Sequence, residues 1–221
     1  MENYTLGLAL FDYLPVIAAG FGLYLICKYC GSTAGYAGPW IIAIPAIALT
    51  GGTLKASWKL IWALEQVNIK WMSDQLFFFL ASAYVLMTVF IVQTLRAGKR
   101  GEHLAANWWM LPMTFVTAMV AGAAYLMLTT DGRSWNFMLL GVLSLANLVF
   151  LIALIAHSFQ MSNRLAATAF IANLVLGYVL VGLARLEQTA ELQWIEEILN
   201  LTNNTVLALG AWSLIRRSQD A

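Results

Sequence analysis

Near its C-terminus the chain reads LEQTAELQWIEEILNLTNNTVLALGAW. Glu196 or Glu197, Asn200, and Asn203 or Asn204 recur there at three- and four-residue spacing, which lays them along one face of a helix. A stripe of acids and amides in an otherwise apolar run offers donors and acceptors to a polar ligand or an ion. Three more ionisable residues, Asp12, Lys55 and Lys59, stand inside long apolar stretches. A charge in lipid costs at least about 2.5 kcal/mol and turns toward protein or a water-filled cavity, so these three are expected to point inward. At about 1.5 Å of rise per residue, Asp12 on a descending first helix and Lys55 on an ascending second fall at similar depth, in the outer third of a bilayer. An Asp12–Lys55 ion pair is expected, with Lys59 snorkelling toward the headgroups.

Asp74 and Gln75 at the start of the third apolar run, with Tyr178 and Arg185 in the sixth, extend the same polar layer, and Trp58, Trp62, Trp71 and Trp194 surround it. The expected ligand-lining set is Asp12, Lys55, Lys59, Asp74, Tyr178, Glu196, Glu197, Asn200, Asn204, Trp62 and Trp194. An acidic, aromatic mouth suits a cation through charge and cation–π contact, while the two lysines argue against a purely cationic preference. The competing reading is structural: acids in a first helical turn complement the macrodipole, asparagines bond helices to one another, and tryptophans form an interfacial belt.

Other chemistries find less support. Cys27 and Cys30 form a C-x-x-C, and with His103 and His157 they have the residue types of a Cys2His2 zinc site. No second paired motif accompanies them, and reduced cytosolic thiols are the plainer reading. Two histidines cannot supply the paired axial ligands of a multi-haem cytochrome. The last apolar run holds no lysine for a retinal Schiff base. No zincin, Walker or G-x-S-x-G pattern is present, and the glycine-rich GSTAGYAG lacks the features of a phosphate loop. Asp74 with Glu196 or Glu197 has the makings of an acid/base pair, but acids at helix ends are common. No metal, cofactor or nucleic acid is expected.

The elements that must position these residues follow from composition. With 61% hydrophobic and 10% charged residues, against about 25% charged in soluble domains, the chain is an integral membrane protein. Each helical span of a core about 30 Å thick needs about 20 apolar residues. Seven runs qualify: Thr5 to Cys27, Pro39 to Ala63, Met72 to Leu95, Trp108 to Thr129, Trp135 to Ala156, Leu165 to Leu186 and Trp194 to Ile215. They are too long and too unalternating for barrel strands, so the fold class is all-α, a polytopic seven-transmembrane helix bundle. The first run lacks a basic n-region and a small-residue cleavage site, and is read as retained. Short connections imply a single transmembrane domain over residues 1–221.

Lys28, Arg96, Lys99, Arg100, Arg164, Arg216 and Arg217 gather at one set of ends, opposed only by Glu102 and Asp220. The other ends carry Lys70, Arg133 and Arg185 with Glu2, Glu65, Asp74, Asp131, Glu187, Glu191, Glu196 and Glu197. The excess of Lys and Arg marks the cytoplasmic side, which places the N-terminus outside and the C-terminus inside. ALEQVNIKWMSDQLF and ARLEQTAELQWIEEIL match around Leu-Glu-Gln and a following Trp. That faint match suggests parallel repeats over 5–95 and 135–215 joined by the span 108–129, an arrangement known among transporters.

Three functional classes remain, in this order. The first is a small-molecule or ion transporter, or ligand-binding membrane protein, with its polar site in the outer third of the bundle. The second is a non-catalytic subunit or adaptor that binds a membrane-protein partner or a second copy of itself, and the third is a membrane-embedded enzyme. The expected setting is the lipid bilayer of a plasma membrane or bacterial inner membrane.

Overall fold

Apolar runs this long leave each backbone N–H and C=O no partner in lipid except its own helix, and the described chain is almost wholly helical. The computed structural model describes residues 5–130, 132–183, 186–187 and 189–219. Glu2, Asp131, Arg185 and Asp220, used above in the charge pattern and the polar layer, lie outside them. Among the described residues there are eight helical segments and no strand. They are α1 (Leu6–Phe11), α2 (Tyr13–Thr33), α3 (Trp40–Glu65), α4 (Lys70–Arg100), α5 (Met110–Thr129), α6 (Ser134–Gln160), α7 (Arg164–Leu183) and α8 (Ala190–Gln219). With α1 and α2 taken as one, seven helices are long and apolar enough to cross a membrane.

The helices overrun the apolar runs. The third ends at Arg100 rather than Leu95, and the first continues to Thr33 rather than Cys27. Hydropathy marks the hydrocarbon slab, whereas backbone hydrogen bonding carries the helix on into polar sequence. The first span is interrupted at Asp12, between α1 and α2. Pro15 accounts for the break, because it has no N–H to give to the carbonyl of Phe11 and its ring crowds that carbonyl.

α4 packs against α2, α3, α5 and α6, and α2 packs in turn against α3 and α8. α7 sits between α6 and α8, while α5 lies outside the α4–α6 pair. Small residues permit the close crossings. A Cβ on Gly51 of α3 would stand 2.6 Å from Phe79 Cβ of α4, and one on Gly22 of α2 would stand 3.2 Å from the Ala208 backbone nitrogen of α8. At the end that carries Arg96, Lys99, Arg216 and Arg217, here called the basic end, Phe90, Trp108, Trp40 and Tyr36 interlock with ring centroids 5.0 to 5.7 Å apart. At the opposite, acidic end, residues from the last turns of α3 and α5 and the first turns of α4, α6 and α8 surround one large cavity.

Replacing Gly51 with leucine forces the α3–α4 crossing apart and is expected to lower stability by about 1–3 kcal/mol, the usual cost of overpacking. Gly141→Leu, where nothing lies within 4 Å of the added Cβ, is expected to leave stability nearly unchanged. Thermal unfolding of the two variants in detergent checks the contrast.

Candidate functional site

Lys59 is the hub of the buried charge. It rises from α3 into the bundle, 7% exposed, and its Nζ lies 3.1 Å from Asp12 Oδ1 and 2.6 Å from Glu197 Oε1. Both carboxylates are buried as well, Asp12 at 7% and Glu197 at 8% exposure. One ammonium therefore joins three helices: the break between α1 and α2, the acidic-end half of α3, and the second turn of α8.

The expected Asp12–Lys55 pair does not form, and Lys59 does not snorkel. Depth measured from the true helix ends explains both corrections. Asp12 lies six positions after Leu6, where α1 starts, and Lys59 lies six positions before Glu65, where α3 stops. The apolar run appeared to stop at Ala63, which shifted the level of Asp12 toward Lys55. The carboxylate finds the lysine at its own height, and the gain of two anionic partners holds Lys59 inside.

Lys55, one turn deeper on α3, is half-buried. Among the described residues no carboxylate lies within 4.0 Å of its Nζ and no hydrogen bond reaches it. It lines two cavities. One, with a volume of about 690 Å³, lies at the acidic end, where its rim includes Lys70, Asp74, Thr130, Arg133 and Glu196. The other, about 190 Å³, runs deeper between α2, α3, α4 and α8. Lys55, Leu76 and Glu197 are walls of both.

The deeper cleft has a polar end and an apolar end. Asp12, Lys55, Glu197, Asn200 and Asn204 form the first; Val16, Ala19, Leu49 and Leu80 form the second, with Tyr84 beside them. Asn204 donates from Nδ2 to the carbonyl of Pro15 at 3.2 Å and to Asn200 Oδ1 at 3.1 Å. It thus ties α8 to α2 three residues past the helix break. Asn203, its neighbour in sequence, faces the other way: Asn173 of α7 donates from Nδ2 to its backbone and side-chain oxygens at 2.9 and 2.8 Å. Adjacent residues on a helix point about 100° apart, so the amide stripe divides between two interfaces.

Of the residues expected to line a site, Asp12, Lys55, Asn200, Asn204 and Glu197 meet at the deeper cleft, and Lys59, Asp74, Glu196 and Glu197 at the larger cavity. Trp62 instead packs on Trp58 at 6.2 Å, and Trp194 packs on Phe11 of α1 at 5.5 Å. Tyr178 is 58% exposed on the outer surface of α7 and lines neither cavity. Sequence reasoning missed Gln193, which stands one turn before Glu197 on the same face of α8 and is 7% exposed. Its spacing of four from Glu197 was the available signal. It also missed Tyr13, the residue after Asp12, whose hydroxyl lies 2.9 Å from Ser57 Oγ of α3.

Two acceptors in this region have no partner among the described residues: Glu197 Oε2 and Gln193 Oε1. At the basic end, His157 Nε2 meets the Tyr29 hydroxyl at 2.7 Å, and Cys27 and Cys30 are buried. Among the described residues no cluster of three or more His, Cys, Asp or Glu side chains is placed to hold a metal ion. Cys27, Cys30, His103 and His157, whose residue types would suit zinc, are therefore not assembled into such a cluster.

The chain matches no protein-family model, no curated protein and no solved structure. Its chemistry has to be read from its own residues.

Replacing Lys59 with methionine strands two buried carboxylates and is expected to cost about 3 kcal/mol or more of stability. Lys55→Met breaks no bond and should cost less than about 1 kcal/mol. Unfolding temperatures of the two purified variants, set against the wild type, test this ordering.

Proposed function

We propose that this multi-pass membrane protein binds a small molecule or ion in the cleft around Lys55 and moves it across the bilayer. The observation that carries the reading is the state of Lys55. A half-buried ammonium without an ionic partner is expensive in a membrane interior, and this one sits where a cavity from the acidic end meets a second cavity between the helices. A charge kept at such a place has a role that packing does not supply. The interruption of the first helix at Asp12 fits as well, since broken helices whose irregular backbone lines a cavity are the usual way transporters build sites at depth.

The reading includes three finer elements. The acidic end faces outside and the basic end faces the cytoplasm, in keeping with the Lys and Arg excess at the latter. The chain acts as one transmembrane domain in which the helices before and after α5 are parallel repeats. Ligand enters from the outer cavity, passes Leu76 and Glu197, and reaches Lys55. A second reading, a non-catalytic subunit, draws on the sealed state of the Asp12–Lys59–Glu197 hub, whose charges satisfy one another as a purely structural ion cluster would. Lys55 distinguishes the two, because a structural cluster has no use for it.

A ligand that binds the folded state raises apparent stability, by about 2.7 kcal/mol at a hundredfold excess over Kd. Screening the purified protein thermally against small molecules and ions is expected to yield a compound that stabilises the wild type and not Lys55→Met. A folded mutant with no compound separating it from the wild type favours the subunit reading. The orientation has its own check: an impermeant thiol reagent applied to intact cells should label Thr130→Cys at the acidic end. It should label Glu102→Cys at the basic end only after permeabilisation.

A further inference from the structure

The charges around the cleft balance in number but not in arrangement. Asp12 and Glu197 supply two carboxylates, and Lys59 and Lys55 two ammonium groups. Lys59 is taken by both acids at once, at 3.1 and 2.6 Å. What remains is a hub of two carboxylates on one ammonium and, one helical turn away on α3, a second ammonium with no carboxylate within 4.0 Å among the described residues. The site is neutral as a whole and polar across its width.

Hydrogen-bonding capacity divides in the same way. On α8, Glu197 spends Oε1 on Lys59 and leaves Oε2 buried without a donor; Gln193, four residues earlier, leaves Oε1 in the same condition. Gln193 and Glu197 are buried, at 7% and 8% exposure, and both form walls of the larger cavity. On α3 Lys55 offers N–H donors, and Asn200, one turn deeper than Glu197 on α8, has its Oδ1 engaged by Asn204 and its Nδ2 unengaged among the described residues. Acceptors without donors lie toward the acidic end of α8, and donors without acceptors lie a turn deeper, on α3 and α8. Leaving a buried polar group unmatched costs about 1–3 kcal/mol.

We propose that the ligand is a small zwitterion of the α-amino acid type, its carboxylate held by Lys55 and Asn200 and its ammonium by Glu197 Oε2 and Gln193 Oε1. This rests on the transport and binding reading above and names its ligand class. A lone anion would satisfy Lys55 but leave both acceptors empty, and a lone cation would do the reverse. A zwitterion answers both and brings no net charge into the bilayer interior, where net charge is most costly. The two acceptors call for a primary ammonium, because a quaternary nitrogen has no N–H to donate. The deeper cleft, about 190 Å³ with Val16, Ala19, Leu49 and Leu80 at its far end, admits a small apolar side chain and excludes a large or charged one.

Matched probes test this on the purified full-length protein. Glycine, alanine and leucine are compared by titration calorimetry with 4-methylpentanoate, which is leucine without its ammonium, with 3-methylbutylamine, which is leucine without its carboxylate, and with glycine betaine. At least one of the amino acids should bind ten times or more tighter than any of the other three probes. In Lys55→Met the preference for that amino acid over the amine should vanish. In Gln193→Leu, which leaves the Lys59 hub intact, its preference over the carboxylate should shrink by at least threefold. Equal binding of 4-methylpentanoate or of the amine overturns the zwitterion and leaves the cleft as a site for a simple anion or cation. Equal binding of glycine betaine overturns the ammonium contacts. If no amino acid binds while another class from the thermal screen does, the ligand class is wrong and the binding reading stands. If no class binds, both fall together.

Discussion

A single buried ammonium, that of Lys59, holds together the part of the molecule on which everything else in the acidic half depends. Desolvating three charges is costly, and their mutual attraction roughly repays that cost only when geometry is close. The hub therefore contributes specificity more than net stability: it admits one rotation and one depth for α3 relative to the broken first helix and to α8. A residue slip in any of the three would strand a charge in the membrane. The break at Asp12 belongs to the same constraint, since Pro15 frees backbone at the level where Asp12 turns toward Lys59. Asn204, bonded to the Pro15 carbonyl, closes the join between α2 and α8.

The two ends of the bundle answer different demands. At the basic end large rings fill the space: Phe90 and Trp108 lie 5.0 Å apart between Tyr36 and Trp40, and the hydroxyl of Tyr29 is fixed by His157. At the acidic end the same helices diverge around a cavity of about 690 Å³ walled by polar and charged side chains as well as Trp58 and Trp135. The proposed site is drawn from the acidic half, where that cavity lies.

Polar groups in the membrane-spanning helices also separate into those that hold the fold and those left over. Asn163 is consumed by the start of α7 and by Ser213 of α8; Asn173 and Asn203 consume one another across α7 and α8. Threonines along the helices return their hydroxyls to carbonyls one turn back, as Thr88 and Thr94 do on α4. Against that pattern of local satisfaction, Lys55, Glu197 Oε2 and Gln193 Oε1 stand out because they occupy one small region and complement each other in sign.

The sequence by itself determined the class and the inventory. Composition and run length pointed to seven helices, because runs this long and unalternating do not suit the one other solution for a backbone in lipid, a closed barrel, and the cost of charge in lipid turned Asp12 and Lys55 inward. The spacing of Glu197, Asn200 and Asn204 was enough to place them on a common face. Only the tertiary structure decided which lysine meets which acid. That choice depends on where the helices truly begin and end and on how far the first is displaced by Pro15, neither of which hydropathy measures. Rotation about the helix axis likewise decided that Asn204 faces α2 while Asn203 faces α7, that Tyr178 looks outward, and that Gln193 belongs beside Glu197. A sequence states which polar side chains must be buried; how they pair is fixed by fractions of a helical turn, and those are set by packing.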